Sequence, residues 1–297
     1  MTSLLGQFGQ KLLDRWATLL AVPGFLYLAA LTVAAVLGQD HAVSHRTLVR
    51  RVTELAADPV LRSAGGTALV ISAVFAGSVA AGLAAAAGGR FVERLWTLPG
   101  NRAPARWLAE RRRELSRRHK AVADSEAASA AEVRAAIARA DRICLVEAAR
   151  PTWIGDRLRA CQVRIARAYR LDLPVVWPRL WLIIPDAART ELGAARDAFS
   201  AAARLTAWAV LYLALGVLWW PAALVAVVTG IAAGVRAREA TENLAGLVES
   251  TVDLYGRDLA VQLGEHPGEG SLPAAAGTRL TTLMRKSRWD PQSPLAD

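Results

Sequence analysis

Three long stretches of the chain contain no charged residue, and they predict the architecture. They run from Trp16 to Gln39, from Ser63 to Gly89 and from Leu205 to Val235, with 24, 27 and 31 residues. A helix needs about 20 apolar residues to cross a bilayer. A helix in a water-soluble core keeps a polar stripe, which these stretches lack, and they do not alternate as barrel strands do. The pattern therefore predicts an all-α integral membrane protein.

The third stretch is long enough to hold two spans. As one helix it would be about 46 Å long, more than a bilayer core needs. The sequence Trp219-Trp220-Pro221 stands near its middle. Pro interrupts a helix, and paired Trp prefers the membrane–water interface. We predict a second transmembrane hairpin over 198–236, with a single kinked helix as the alternative. With spans at about 16–38 and 65–88, the chain then has four spans.

The distribution of basic residues predicts the orientation of these spans. The segment 89–200 holds 22 Lys and Arg against 13 Asp and Glu, whereas the loop 38–64 holds four Arg. Basic segments that flank membrane helices stay in the cytoplasm. We therefore expect a multi-pass protein of the cell (plasma) membrane with both termini cytoplasmic. The net charge of +10 then favours contact with anionic lipid headgroups; the basic runs lack the aromatic pattern of a nucleic-acid site.

These patterns divide the chain into five segments. The first hairpin occupies 1–89, and a basic helical cytoplasmic region follows over 90–197. The second hairpin, 198–236, leads into an amphipathic acidic helix over 237–266. The last segment, 267–297, contains Pro, Gly, Ser and Thr with little periodicity and is predicted to be a disordered tail.

A basic amphipathic helix is predicted from Ala103 to about Ala123. Trp107 and Leu108 suit insertion at a membrane surface. The candidate anionic-lipid contacts are Arg111, Arg112, Arg113, Arg117 and Arg118. The alternative is the solvated face of a coiled-coil-like helix. The acidic helix is a candidate partner of this basic helix, within one chain or between chains. A second helix is predicted to begin at Ser129, because Glu132 three residues later completes a capping box.

The most distinctive stretch runs from Pro151 to Asp186. Within it, 173–184 is apolar except for Arg179 and too short to span a bilayer, so it is interfacial, re-entrant or buried. Trp177, Pro178 and Trp181 favour the interface. If Arg179 is buried it needs an anionic partner. The candidates nearby in sequence are Asp156, Asp172 and Asp186.

No catalytic constellation or metal site is evident in the sequence. Cys144 and Cys161 are predicted to be small buried thiols, since disulfides are rare in the cytoplasm. No Cys or His cluster has the spacing of a zinc site, and no nucleophile–base pair or paired acid stands out. We therefore predict no cofactor and lean against an enzyme.

The central stretch resembles a known family. PTWIGDRLRA followed by YRLDLPVVWPRLWLIIPD is similar to a motif of bacterial, mainly actinobacterial, multi-pass membrane proteins without an established activity. The matching positions are Pro151, Thr152, Gly155, Asp156, Tyr169, Asp172, Trp177, Pro178, Arg179, Leu180 and Pro185. Arg170 departs from the pattern, because Gly usually follows the Tyr. The resemblance implies two pairs of spans around the motif.

The motif residues are interpreted as structural or interface positions. They are Pro151, Thr152, Gly155, Asp156, Arg157, Tyr169, Asp172, Trp177, Pro178, Arg179, Trp181 and Asp186. The leading hypothesis is a membrane-anchored scaffold or sensor that forms homo-oligomers or docks a cytoplasmic protein. The alternative is an oligomeric transporter, channel or membrane-permeabilising effector, although such proteins usually carry ionisable residues at mid-membrane depth. A membrane-interface lipid enzyme using Asp156, Asp172, Arg157 and Arg179 is the third hypothesis.

Overall fold

The regular secondary structure of the described residues is entirely α-helical. The computed structural model describes residues 22–57, 59, 63–101, 103–123, 129–144, 146–268 and 270–285. These residues form ten α-helices and no strands, which confirms the all-α class. The helices are α1 Val22–Leu37, α2 His45–Ala57, α3 Ala64–Trp96, α4 Ala105–Ala123, α5 Ala130–Ile143, α6 Trp153–Tyr169, α7 Leu173–Ile183, α8 Asp186–Gly216, α9 Trp220–Gln262 and α10 Ala274–Arg285.

The chain divides into two compact units. The apolar unit comprises Met1–Glu93 and Ser200–Arg236, and the polar unit comprises Arg94–Phe199 and Ala237–Asp297. The helices α8 and α9 contribute residues to both units. Each unit is assembled from two parts of the sequence that are distant from each other.

Among the described residues, three helices are long and apolar enough to cross a membrane. They are Ala64–Trp96, Asp186–Gly216 and Trp220–Gln262. The helix α1 is apolar but has only 16 residues. The first predicted span starts near Trp16, and residues 16–21 lie outside the described residues.

Small residues separate the helices of the apolar unit. A Cβ atom on Gly24 of α1 would overlap the carbonyl group of Ser78 in α3. A Cβ on Gly89 of α3 would lie 2.8 Å from Cγ of Arg204 in α8. Since lipid provides no hydrophobic drive between helices, close packing of small residues is the usual way to associate them. The glycines therefore permit the helix contacts that build this unit.

The apolar unit exposes its large side chains and buries its small ones. Phe75 is 66% exposed and Val228 is 68% exposed, whereas most of the buried positions in this unit are alanines. In a water-soluble protein the large apolar residues lie inside, and an extensive exposed apolar surface marks contact with a membrane or a partner. This distribution agrees with the three apolar helices in indicating a membrane protein.

The break predicted in the third apolar stretch is present. The helix α8 ends at Gly216 and α9 begins at Trp220. A Cβ on Gly216 would lie 2.9 Å from Cβ of Ala223, and one on Gly230 would lie 3.8 Å from Cβ of Ala209. Residues at increasing distance from the turn thus face each other, so the two helices run antiparallel. A single kinked helix is therefore excluded.

The helices extend beyond the predicted second hairpin, 198–236. The helix α8 begins at Asp186, and α9 continues to Gln262 through the predicted boundary at 236. No Gly or Pro stands between Val235 and Gly246, and the change from apolar to polar residues does not by itself end a helix. The predicted acidic helix is thus the second half of α9.

The core of the polar unit contains large apolar side chains from five helices. One face of α7 is buried in it through Leu173, Val176 and Leu180, and Ile184 follows directly after the helix. This face is buried within the protein, and the position of 173–184 relative to a membrane stays a prediction. The neighbouring Leu182 points away from the core and is 74% exposed.

Part of the predicted disordered tail, residues 274–285, forms a helix. The helix α10 buries Ala276, Leu280 and Met284 in the same core as Leu171. These positions are four residues apart, so they share one helix face. The tail prediction is therefore wrong for 274–285, because it relied on composition and overlooked this short periodic face. Residues 286–297 lie outside the described residues.

Candidate functional site

The Thr-x-x-Gly-Asp turn of the central motif joins the start of α6 to the end of α3. Thr152 caps α6 by accepting from the Gly155 amide at 3.0 Å, and its hydroxyl donates to the Trp96 carbonyl at 2.5 Å. A Cβ on Gly155 would overlap that same carbonyl, so Gly is needed for the close approach. The turn therefore holds the end of α3 against the start of α6.

Asp156 organises the other side of this turn. Its Oδ1 accepts hydrogen bonds from the amides of Ala149 and Arg150 at 2.9 and 2.8 Å. Its Oδ2 pairs with Arg112 at 2.5 Å. Arg112 also donates to the carbonyl groups of Ile143 and Arg150. A buried carboxylate that meets three donors is a structural anchor.

The predicted lipid contacts of α4 are largely engaged with protein groups. Arg112 is the anchor described above, and Arg113 donates to the Ala148 carbonyl at 3.0 Å. Arg117 pairs with Glu147 at 3.2 Å, and Arg118 with Glu114 at 3.1 Å. The Arg111 guanidinium lies 5.7 Å from the ring centroid of Trp107. Arg112 is therefore not available to headgroups; the role of the others stays a prediction.

Arg157 is a second buried charge of the motif, next to Asp156. Its side chain is only 6% exposed and pairs with Glu242 at 2.7 Å and with Glu249 at 3.0 Å. Burial lowers the pKa of Arg157 and the bonds to the two carboxylates raise it, with a net rise. Arg164, about two helical turns after Arg157, also pairs with Glu249, at 3.1 Å. This cluster clamps α6 to α9.

The acidic half of α9 thus pairs with a different helix from the one suggested by charge alone. We expected the basic helix at 103–120 as its partner, but Glu242 and Glu249 pair with arginines of α6. Asp253 follows the same pattern by accepting from the Tyr169 hydroxyl at 2.8 Å. That hydrogen bond, with a smaller effect of burial, raises the pKa of Tyr169.

The three carboxylates proposed as partners of Arg179 are bound elsewhere. Asp156 pairs with Arg112, Asp172 with Arg285 and Asp186 with Arg189. Arg179 is half-buried and donates to the Val175 carbonyl at 2.8 Å within its own helix. The Asp and Arg residues of the motif are therefore dispersed over several contacts rather than gathered in one site.

Arg170 occupies a left-handed turn, a conformation that favours Gly. It ends α6 with φ of 54° and ψ of 26°. Gly adopts this conformation freely, whereas other residues are strained there. The turn forms with Arg at this position, since the Arg170 amide donates to the Ala166 carbonyl and the Arg170 carbonyl accepts from Thr281.

A groove of about 650 Å³ lies in the polar unit between α6, α7, α8 and α9. Its volume is within the roughly 300–1,000 Å³ typical of small-molecule sites. The Trp-Pro-Arg-Leu-Trp box contributes Trp177, Pro178 and Trp181 to its wall. Gln162, Arg196 and Asp197 supply polar groups. The groove is thus mainly apolar with a few polar groups, as binding sites commonly are.

Cys161 lines this groove but is a poor nucleophile. Burial, followed by the nearby Glu249, raises the pKa of the Cys161 thiol to about 12. The reactive form of cysteine is the thiolate, so the thiol stays protonated at neutral pH. In the described residues no group of three or more His, Cys, Asp or Glu is arranged to hold a metal ion.

Sequence reasoning identified the motif but missed what its residues contact. Glu242 and Glu249 are 85 and 92 residues from Arg157. Leu244 and Val248, which line the groove, are four residues apart on another face of the same helix. The regular spacing of acidic and apolar positions in α9 was the available signal, but it names no partner.

Comparison with protein-family models, curated proteins and solved structures finds no match to this chain. The resemblance of the central motif to a bacterial membrane-protein family therefore stays a prediction. The class of protein supported here is a helical protein with apolar helices of membrane-spanning length.

Proposed function

We propose that the protein is a membrane-anchored scaffold or sensor whose polar unit binds a ligand or partner in the groove. The observation that supports this proposal is that two walls of the groove belong to α8 and α9. Each of these helices also contains a segment that is apolar and long enough to span a bilayer. An occupant of the groove therefore touches the same helices that anchor the protein.

The proposed topology has four spans, α1, α3 and the apolar parts of α8 and α9, with the polar unit in the cytoplasm. Support comes from the excess of 22 basic over 13 acidic residues in 89–200, because basic flanks remain cytoplasmic. The antiparallel course of α8 and α9 agrees with a hairpin that returns to the same side.

Cysteine accessibility in intact cells tests this topology. Single cysteines replace Val43 and Val217, both highly exposed, and Ala168 and Ser271, in a background with Cys144→Ala and Cys161→Ala. We expect a membrane-impermeant maleimide to label Val43→Cys and Val217→Cys only. Labelling of Ser271→Cys from outside contradicts the cytoplasmic polar unit.

Photocrosslinking in living cells tests the function of the groove. A photoreactive benzophenone amino acid replaces Gln162, which is exposed and lines the groove, or Ala168, which is exposed on another face of α6. We expect adducts at position 162 that are absent at 168. A shift by the mass of a protein supports a scaffold, and a lipid-sized adduct found by mass spectrometry supports a sensor. Equal crosslinking at both positions argues against the proposal.

A further inference from the structure

The helix α2 separates basic and apolar residues on its two sides. Val49, Val52 and Ala56 follow one another at steps of three and four, and so share a face. Arg46, Arg50 and Glu54 are four residues apart and share another. Val49 is 60% exposed and Val52 is 51% exposed. The helix therefore presents an apolar face that is open, beside a face with a basic excess.

The segment before α2 is fastened to the turn between α8 and α9. The Gln39 amide group donates to the carbonyls of Gly216 and Val217 at 3.1 and 2.7 Å, and its oxygen accepts from the Trp220 amide. The Trp219 indole donates to the Ala42 carbonyl at 2.8 Å. Ser44, two residues later, starts α2 by accepting from the Thr47 amide.

These contacts put α2 at a membrane surface if the apolar helices cross the bilayer. Paired Trp belongs at the membrane–water interface, and Trp219 holds the chain three residues before His45. The other end of α2, Ala57, is seven residues from the start of α3. Both ends are thus tethered close to the ends of proposed spans.

We propose that α2 is an interfacial helix that lies on a phospholipid surface. Val49 and Val52 enter the boundary between headgroups and acyl chains, while Arg46, Arg50 and Arg51 contact lipid phosphates. Helices with an apolar face and a basic face bind membranes in this way, and anionic lipid strengthens the binding. Arg50 and Arg51 share Glu54 as their ion-pair partner, so the helix keeps a basic excess. The proposal rests on the spanning helices assigned under the proposed function.

Site-directed spin labelling of the full chain tests this inference. Single cysteines at Val49, Val52, Arg46 and Arg50 carry the nitroxide in the background without Cys144 and Cys161. The protein is reconstituted into phosphatidylcholine vesicles with or without phosphatidylglycerol. The measurement is the accessibility of each label to oxygen, which concentrates in lipid, relative to a water-soluble nickel chelate. We expect this ratio to be several-fold higher at Val49 and Val52 than at Arg46 and Arg50.

Labels at Ile71 and Val228 separate this inference from the proposed function. Both residues are exposed on proposed spans and must report lipid. If they do and Val52 reports water, α2 does not lie on the membrane although the spans stand. If Val49 and Val52 are shielded from both reagents, protein covers the face and the lipid proposal is overturned. If Ile71 and Val228 report water, the spans and the proposal fall together.

Charge variants test the role of the arginines. Replacing Arg46, Arg50 and Arg51 together by Gln is expected to lower the ratio at Val52 with phosphatidylglycerol present and to leave it unchanged in phosphatidylcholine alone. The matched control replaces Arg106, Arg134 and Arg139, which are exposed on α4 and α5. An equal decrease in both lipids, or with the control variant, overturns the contact with phosphate.

Discussion

The apolar and polar units are both built from helices, but they are packed by opposite rules. In the polar unit the largest fully buried side chains include Phe199, Leu180 and Leu280, and all eight residues of this group belong to that unit. In the apolar unit the buried positions are mostly alanines, and bulky residues such as Phe75 face outward. The difference follows from the solvent, because water drives large apolar groups inward and lipid does not.

The contacts that join helices also differ between the two units. Arg157, Asp156 and Thr152 join distant segments of the polar unit through ion pairs and bonds to backbone groups. In the apolar unit close approach depends on glycines, as at Gly24 and Gly89. Similar helices therefore need side-chain anchors in one medium and small residues at their contacts in the other. Matched substitutions test each half of this contrast.

Truncating a core residue of the polar unit is expected to have the largest effect. Leu180→Ala removes a side chain that is fully buried, and such changes cost about 2–5 kcal/mol. Leu182→Ala, two residues away and exposed, is the control and should cost under about 0.5 kcal/mol. Pulse proteolysis of the full chain in nanodiscs across a urea series measures both. Similar costs for the two variants contradict the core assigned to α7.

Removing the buried arginine tests the anchors of the polar unit. Arg157→Met leaves Glu249 buried without its main partner and is expected to cost about 3 kcal/mol. Arg164→Met removes the exposed partner of the same carboxylate and should cost under about 1 kcal/mol. The same proteolysis assay compares them. If Arg164→Met lowers the free energy of unfolding more than Arg157→Met does, the stabilisation does not come from the burial of Arg157.

Enlarging a glycine tests the packing rule of the apolar unit. Gly24→Leu forces α1 away from the Ser78 backbone and is expected to cost about 1–3 kcal/mol. Gly65→Leu is the control, because a side chain there meets nothing within 4 Å. Thermal unfolding in detergent, followed by tryptophan fluorescence, gives the difference. Equal melting temperatures would show that α1 and α3 do not pack closely.

Introducing glycine at the left-handed turn is expected to stabilise the polar unit modestly. Arg170→Gly removes the strain of a positive φ, for a gain of about 1 kcal/mol. Arg167→Gly, in the last turn of α6, is the control and should destabilise by a similar amount because Gly weakens helices. A loss of stability in Arg170→Gly would show that its side chain contributes more than its backbone costs.

The smallest effect is expected at the capping box of α5. The Ser129 hydroxyl and amide donate to the Glu132 carboxylate and hold the pKa of Glu132 below its ordinary value of 4.5. A depressed carboxylate stabilises the fold above 4.5 and loses this contribution as the pH falls through its folded pKa. Amide exchange in the first turn of α5 should therefore speed up at acidic pH, and Glu132→Gln should remove that dependence. Identical pH profiles for both proteins count against the box.

The local features of the fold were predictable from the sequence because they depend on neighbouring residues. The capping box at Ser129 needs only Glu132, three residues away, and it is present. The break near Trp219 follows from one Pro and two Trp, and it is present as well. The separate acidic helix predicted after 236 is wrong, because a loss of hydrophobicity at Arg236 does not end a helix and α9 continues to Gln262.

The site was less predictable, because its residues are brought together from distant segments. The motif marked Arg157 and Trp177 as distinctive, yet their neighbours Glu249 and Val248 lie on a helix many residues later. Charge complementarity correctly indicated that α9 needs a basic partner but named α4 instead of α6. With many arginines spread along the chain, net charge alone does not select among them.

The sequence by itself determined that this protein is helical and that parts of it are apolar enough for a membrane, since both follow from contiguous composition and local backbone preference. Only the tertiary structure decided which acid meets Arg157, that Leu280 and its neighbours form a helix in the core, and that the Trp box lines a groove. These features arise because burial depends on residues far apart in the chain, whose contacts become defined only when the helices pack.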